Sequence, residues 1–259
     1  MLEFQQIKNQ YPKNMRGFER AILREYLQIK ILRAVFESNF ADKLVFLGGT
    51  ALRIIYNNNR FSEDIDLDNF GLSWMEFQEV VNKVQRYLEM EGFDVEVRST
   101  AKGAYRCYLR FPSVLYREGL SPIEGEKMLI QLDTYAQGYK YDPDIILLNK
   151  FDVFTQIRVT PLDVLLSQKI YTAINRKRPK GRDFYDITYL LGMTKPNMGF
   201  IHQKLGVSTV AHLREVIAKR IENIDFKYLS RDVAPFILNQ NDIKRVENFQ
   251  GFWNTAELD

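Results

Sequence analysis

Residues 46–70 read FLGGTALRIIYNNNRFSEDIDLDNF. Two glycines break an apolar segment, a short apolar run follows, and then Glu63, Asp64, Asp66 and Asp68 crowd into six positions. LVFLGG reads as a short buried segment that stops at the glycines, TALRIIY as a short helix, and FSEDIDL as a strand by alternation. Side chains alternate across a strand, so Asp64, Asp66 and Asp68 are expected on one face, with Ile65 and Leu67 anchoring the other in a core. Like charges at that spacing repel, so the acidic face requires a counter-charge. A hard divalent cation is one candidate, since Mg²⁺ binds through one or two carboxylates together with substrate phosphates. The competing reading is a solvent-facing acidic edge that guards against aggregation. Gly48 and Gly49 allow close approach of backbone to a ligand. Thr50 then opens a helix whose free N–H groups and positive dipole end favour phosphate.

Outward from this stretch the chain divides by texture. Residues 18–38 carry apolar side chains at helical spacing, and WMEFQEVVNKVQRYLEMEG forms a long amphipathic helix with Ser73 as N-cap and Gly92 just past its end. Strands are expected at 93–99, 105–111 and 128–135, with one or two more in 145–159. From Thr160 and Pro161 helical periods take over, at 161–176, 183–191, 197–205 and 209–223, with short pieces near 230–247. The fold class is therefore α+β: a mixed sheet with helices over residues 1–158, followed by a mainly helical domain over 159–259.

The 259 residues and their 46% hydrophobic content suffice for one large or two smaller cores, and the 27% charged content excludes a disordered tail. No run approaches the ~20 apolar residues of a membrane span, and MLEFQQIKNQYPKN lacks the pattern of a signal peptide. A single cysteine, Cys107, fits a reducing cytoplasm, and His202 and His212 alone leave little material for zinc. Cys107 lies in an apolar strand and is read as packed. The net charge of +3 is mild, but RKRPKGR at 176–182 concentrates five basic side chains without an acid. Such a loop is either a solvated connection or a seat for a polyanion.

The pairing of GGT with DID, Thr50 and Asp64 standing 14 positions apart, resembles the signature of the polymerase-beta-like nucleotidyltransferase superfamily. The longer string GGTALR…RFSEDIDL, with LLSQKIYTAINRKRPKGRDFYDITYLL further on, is similar to the AbiEii/MenT nucleotidyltransferase-like toxins. The resemblance runs from about residue 40 to 195. It implies a polymerase-beta-like core and transfer of a nucleoside monophosphate from an NTP to a hydroxyl. It also implies Mg²⁺ or Mn²⁺ held by Asp64, Asp66 and a third acid on a neighbouring strand. Asp133 in LIQLDTY is the first candidate for that acid and Glu96 in FDVEVRS the second. By the same resemblance Gly48, Gly49, Thr50, Lys169 and Arg182 bind nucleotide, and Lys169 and Asp183 belong to the catalytic set. By position alone Lys169 reads equally as a snorkelling surface lysine and Asp183 as a helix-dipole acid. Asp186 is read as structural, paired with a neighbour such as Arg182, and Arg60 either as a partner of the acids of the quoted strand or as an ordinary exposed arginine. The implied partners are RNA, such as a tRNA 3′ end, and a cognate antitoxin, with a protein or small-molecule hydroxyl as open acceptors. A nucleotide- or RNA-binding module without turnover, and a purely structural interaction protein, are the competing classes.

Overall fold

The computed structural model describes residues 2–259, which form two compact units. The first comprises residues 2–57, 61–138 and 143–159; the second comprises 58–60, 139–142 and 160–259. Two short segments from the front of the chain thus join the helical rear.

The first unit contains α1 (Phe4–Asn9), α2 (Glu19–Phe36), β1 (Leu44–Leu47), α3 (Gly48–Ile54), β2 (Ile65–Asn69), α4 (Trp74–Met90), β3 (Glu96–Lys102), β4 (Ala104–Phe111), α5 (Val114–Arg117), β5 (Met128–Tyr135), β6 (Asp144–Lys150) and β7 (Val153–Val159). Its seven strands make one mixed sheet in the order β3-β4-β5-β2-β1-β7-β6. The β1–β7 and β2–β5 pairs are parallel and the others antiparallel. The short apolar strand β1 is fully buried and pairs with β2, so the acid-bearing strand sits inside the sheet instead of at an edge.

Helix α2 is buried along most of its length, including Glu25 and Lys30. Buried charges need partners. Glu25 accepts hydrogen bonds from Tyr11 Oη at 2.7 Å and Arg53 Nε at 2.7 Å, and also pairs with Lys150. Burial pulls the Glu25 carboxyl upward, but Lys150 and Arg53 outweigh it and hold the group below its usual range. Lys30 reaches Asp152 at 2.7 Å and Glu91 at 2.9 Å. Helix α4 buries Phe77, Val80, Val81, Val84 and Leu88 on one stripe. Its capping box forms as its sequence dictates: Glu76 N donates to Ser73 Oγ at 3.3 Å, and Ser73 N donates to Glu76 Oε2 at 2.8 Å. Gly92 follows at φ +86°, a conformation that favours glycine at a helix end.

The strand expected at 93–99 runs over Glu96–Lys102, and the start of β2 differs as well. FSEDIDL does not extend from Phe61; β2 starts at Ile65, so Asp64 stands just before the strand. Gln28 Nε2 donates to the Ser62 and Glu63 carbonyls at 3.1 and 2.8 Å, and Thr50 Oγ1 donates to the Asp64 carbonyl. Side chains of α2 and α3 thus take the carbonyls that a strand ladder would otherwise use.

The second unit holds α6 (Leu162–Asn175), α7 (Gly181–Leu191), α8 (Met198–Leu205), α9 (Val210–Ile221), α10 (Phe226–Val233), α11 (Lys244–Glu247) and α12 (Phe249–Thr255). Phe184, Phe226, Phe249 and Trp253 form its aromatic centre, with ring centroids 4.8–6.0 Å apart. Helix α7 begins at Gly181, two residues before the apolar period suggests, because Gly181 N donates to both carboxylate oxygens of Asp232, at 3.0 and 3.1 Å. None of these helices is long and apolar enough to cross a membrane.

Candidate active site

The acids of the opening stretch have separate fates. Glu63 pairs with Arg24 at 3.0 Å, and buried Asp68 accepts a hydrogen bond from Gln137 N at 2.8 Å. Asp64 and Asp66 lie nearer the glycine turn.

Asp66 points at the glycine turn. Gly48 sits at φ +82°, and a Cβ built there would overlap Asp66 Oδ2 and lie 3.1 Å from its Cβ and Cγ. Only glycine meets both conditions, the left-handed backbone and the contact with a carboxylate. Helix α3 starts at Gly48 itself, directly after β1, so the backbone of Gly48, Gly49 and Thr50 forms its first turn. Gly49 and Thr50 are buried, and the Thr50 hydroxyl is engaged by the Asp64 carbonyl. Thr50 therefore contributes its backbone amide to the turn, while its side chain fixes Asp64.

Asp133 stands directly across from Asp66 in the parallel β2–β5 register. On its other side the antiparallel β4–β5 register places Arg106, whose Nε is 3.4 Å from Asp133 Oδ2. Asp133 Oδ1 is buried without a hydrogen-bond partner. Burial pushes this carboxyl up to about 6; Arg106 opposes the rise, and the negative charges of Asp66 and Asp64 add to it. Glu96, the other candidate third acid, lies on β3, three strands from β2, and pairs with Lys127 at 2.6 Å. Its distance from β2 removes it from the carboxylate set.

Among the described residues no three His, Cys, Asp or Glu side chains form a closed metal cage. The donor set nonetheless fits a hard divalent cation. It consists of carboxylate oxygens alone, one of them an orphaned buried acceptor, and Mg²⁺ commonly completes its shell with water and substrate phosphates.

In the second unit the buried carboxylate of Asp186 is the hub of a charge network. Arg60 binds it with two hydrogen bonds, Nε to Oδ1 at 2.7 Å and Nη2 to Oδ2 at 2.6 Å. Lys169 Nζ lies 2.8 Å from Oδ2, and Asn58 Nδ2 donates to Oδ1 at 3.0 Å. Burial draws the Asp186 carboxyl upward, yet Arg60 and Lys169 outweigh it and hold the group down at about 2. Two expectations change here. Arg60 serves Asp186 in place of the acids of the quoted strand, and Asp186 is held by Arg60 and Lys169 instead of Arg182. The reason is tertiary: residues 58–60 belong with the helices.

Lys169 is about two turns along the mostly buried α6, with its ammonium on Asp186, so it is no snorkelling surface lysine. Asp183 is buried in the first turn of α7, its Oδ2 3.1 Å from Arg176 Nη1 but without a hydrogen bond. Burial raises its proton affinity against the opposing pull of Lys169 and Arg176. Arg182 is exposed on the same turn. Cys107 is fully buried, and burial pushes its thiol up to about 12.

Sequence reading alone does not find Arg106 or Asn58. The first depends on the register of two strands joined by a long connection, and the second on a three-residue segment that leaves the sheet unit.

Two solved structures from Helicobacter pylori share this fold. JHP933 is 15% identical, with 91% of this chain and 92% of that chain covered and a TM-score of 0.55. A second protein, described provisionally as a nucleotidyltransferase, is 15% identical over 91% of this chain and 95% of that one, with a TM-score of 0.57. The class defined here is thus the mixed α/β fold of these two structures. No curated protein matches the sequence at comparable significance. The family described as nucleotidyl transferase AbiEii toxin, of type IV toxin–antitoxin systems, matches residues 30–249, and the chain belongs to that family.

Proposed function

We propose that this protein transfers a nucleoside monophosphate from an NTP to a hydroxyl acceptor on RNA, as the toxin of a toxin–antitoxin pair with a cognate antitoxin. The observation that carries the reading is the juxtaposition of Asp66 with both the Gly48 turn and Asp133. Acids and a phosphate-sized glycine turn in contact suit a triphosphate bound with its counter-ion.

Asp64, Asp66 and Asp133 would hold Mg²⁺ or Mn²⁺, which supplies charge neutralisation for the triphosphate and the departing pyrophosphate. The amides of Gly48, Gly49 and Thr50, in the first turn of α3, would bind phosphate oxygens. Asp133 would receive the proton of the attacking hydroxyl at the carboxylate oxygen that is not on the ion. Arg106 keeps that carboxylate oriented. By the family pattern, Lys169 is a nucleotide-contacting point charge, and Arg182 and Asp183 belong to the nucleotide-binding and catalytic sets. Asp186, itself held by Arg60, fixes the Lys169 ammonium through their ion pair.

Incubation with each α-labelled NTP, a divalent cation and total RNA tests the reading. Label is expected on RNA with one NTP preferred, and Asp66→Asn abolishes it. Absence of labelled product with every NTP, on RNA, protein or small hydroxyl compounds, would reject it.

A further inference from the structure

The second unit carries a cleft of ≈ 710 Å³ between the basic loop 176–182 and the turn from α9 into α10. Lys177, Arg178 and Lys180 line it from the loop, and Arg231 and Tyr228 from α10. All five are exposed, Tyr228 at 66%, and none of the four cations has an ion-pair partner among the described residues. Both acids of the cleft are already used. Asp225 accepts from Tyr228 N at 2.8 Å, and Asp232 accepts from Gly181 N through both oxygens. Four cations against these two carboxylates leave net positive charge on the walls.

The loop is also held in place. Arg220 donates to the Ile174 and Arg176 carbonyls at 2.9 and 2.7 Å at its start. At its end Gly181 packs so closely that a Cβ would overlap the Leu229 carbonyl. Four unpaired cations on an anchored loop and helix, beside an outward aromatic ring, match the two requirements of single-strand binding. Those are a basic groove for the backbone and a platform on which a base stacks.

We propose that this cleft docks a single-stranded RNA segment, with Lys177, Arg178, Lys180 and Arg231 on consecutive phosphates and the Tyr228 ring stacked on an unpaired base. The inference deepens the transfer reading, on which it rests for the choice of RNA as occupant. Arg182 is not part of it.

The test is fluorescence anisotropy with a labelled 12-nucleotide single-stranded RNA, without NTP or divalent cation. Four phosphate contacts predict a slope of log K against log salt near −3, and each of Lys177→Gln, Arg178→Gln, Lys180→Gln and Arg231→Gln reduces it by about 0.7. Tyr228→Ala weakens binding about ten-fold at every salt concentration with the slope unchanged, while Tyr228→Phe binds as wild type. A duplex of the same sequence binds more weakly, since its bases are not free to stack. The proposal falls if the four-fold Gln variant binds as tightly as wild type with the same slope. It falls equally if heparin and duplex RNA bind as well as the single strand and Tyr228→Ala changes nothing. Label transfer to RNA that the cleft variants leave untouched would reject the cleft and keep the transferase reading. Cleft-dependent RNA binding without any turnover would reject the transferase reading and keep the cleft.

Discussion

Replacing Asp133 by Asn should stabilise the protein in the absence of a divalent cation. The carboxyl is raised from its usual 3.8 to about 6, chiefly by burial. Keeping it ionised above pH 6 therefore costs about 3 kcal/mol relative to the unfolded chain. A quarter of the side chain remains exposed, and an amide leaves a buried polar atom still to be satisfied. A net gain of about 1–2 kcal/mol remains. For a chain of this size that is about 3–6 °C in Tm. The sign follows from linkage. The folded carboxyl binds its proton more tightly than the unfolded one, so wild-type stability falls as pH rises from about 4 to about 6 and is level above. Paired thermal melts from pH 4 to 8 in EDTA should show no difference at the acid end and a plateau in favour of the variant above about 6.5. Adding Mg²⁺ and the preferred NTP should reverse the order, raising wild type and leaving the variant unmoved. A variant less stable than wild type at pH 7.5, or a difference independent of pH, would show that Asp133 is not held under repulsion and burial.

Gly48→Ala should lose nucleotide-induced stabilisation, because its Cβ displaces Asp66. The left-handed backbone adds about 1–2 kcal/mol of strain, readable as a lower denaturant midpoint. Arg60→Ala leaves Asp186 buried with a reduced counter-charge and should cost about 3–5 kcal/mol in chemical denaturation. Lys169→Met should cost distinctly less, since the two Arg60 bonds to Asp186 persist. The Cys107 thiol, buried and pushed up to about 12, should react with a disulfide reagent at pH 8 only after denaturation. Measurable native-state labelling would mean that β4 opens.

By itself, the sequence determined the elements and their chemistry. Period and capping made α2 and α4 legible, because a helix end is specified by residues three apart, as in Ser73 and Glu76. The glycine pair before closely spaced acids, with no cysteine or histidine cluster, pointed to oxygen ligands and phosphate. Tertiary structure alone decided which acids meet. Asp133 rather than Glu96 joins Asp66, because strand order and register are set by packing between distant segments, and neither is written in local alternation. The same holds for Arg60, which its position in the chain assigns to the DID strand and its fold assigns to Asp186. Charge partners are chosen by burial, since a carboxylate removed from water must be met by whichever cation the packed chain brings within reach.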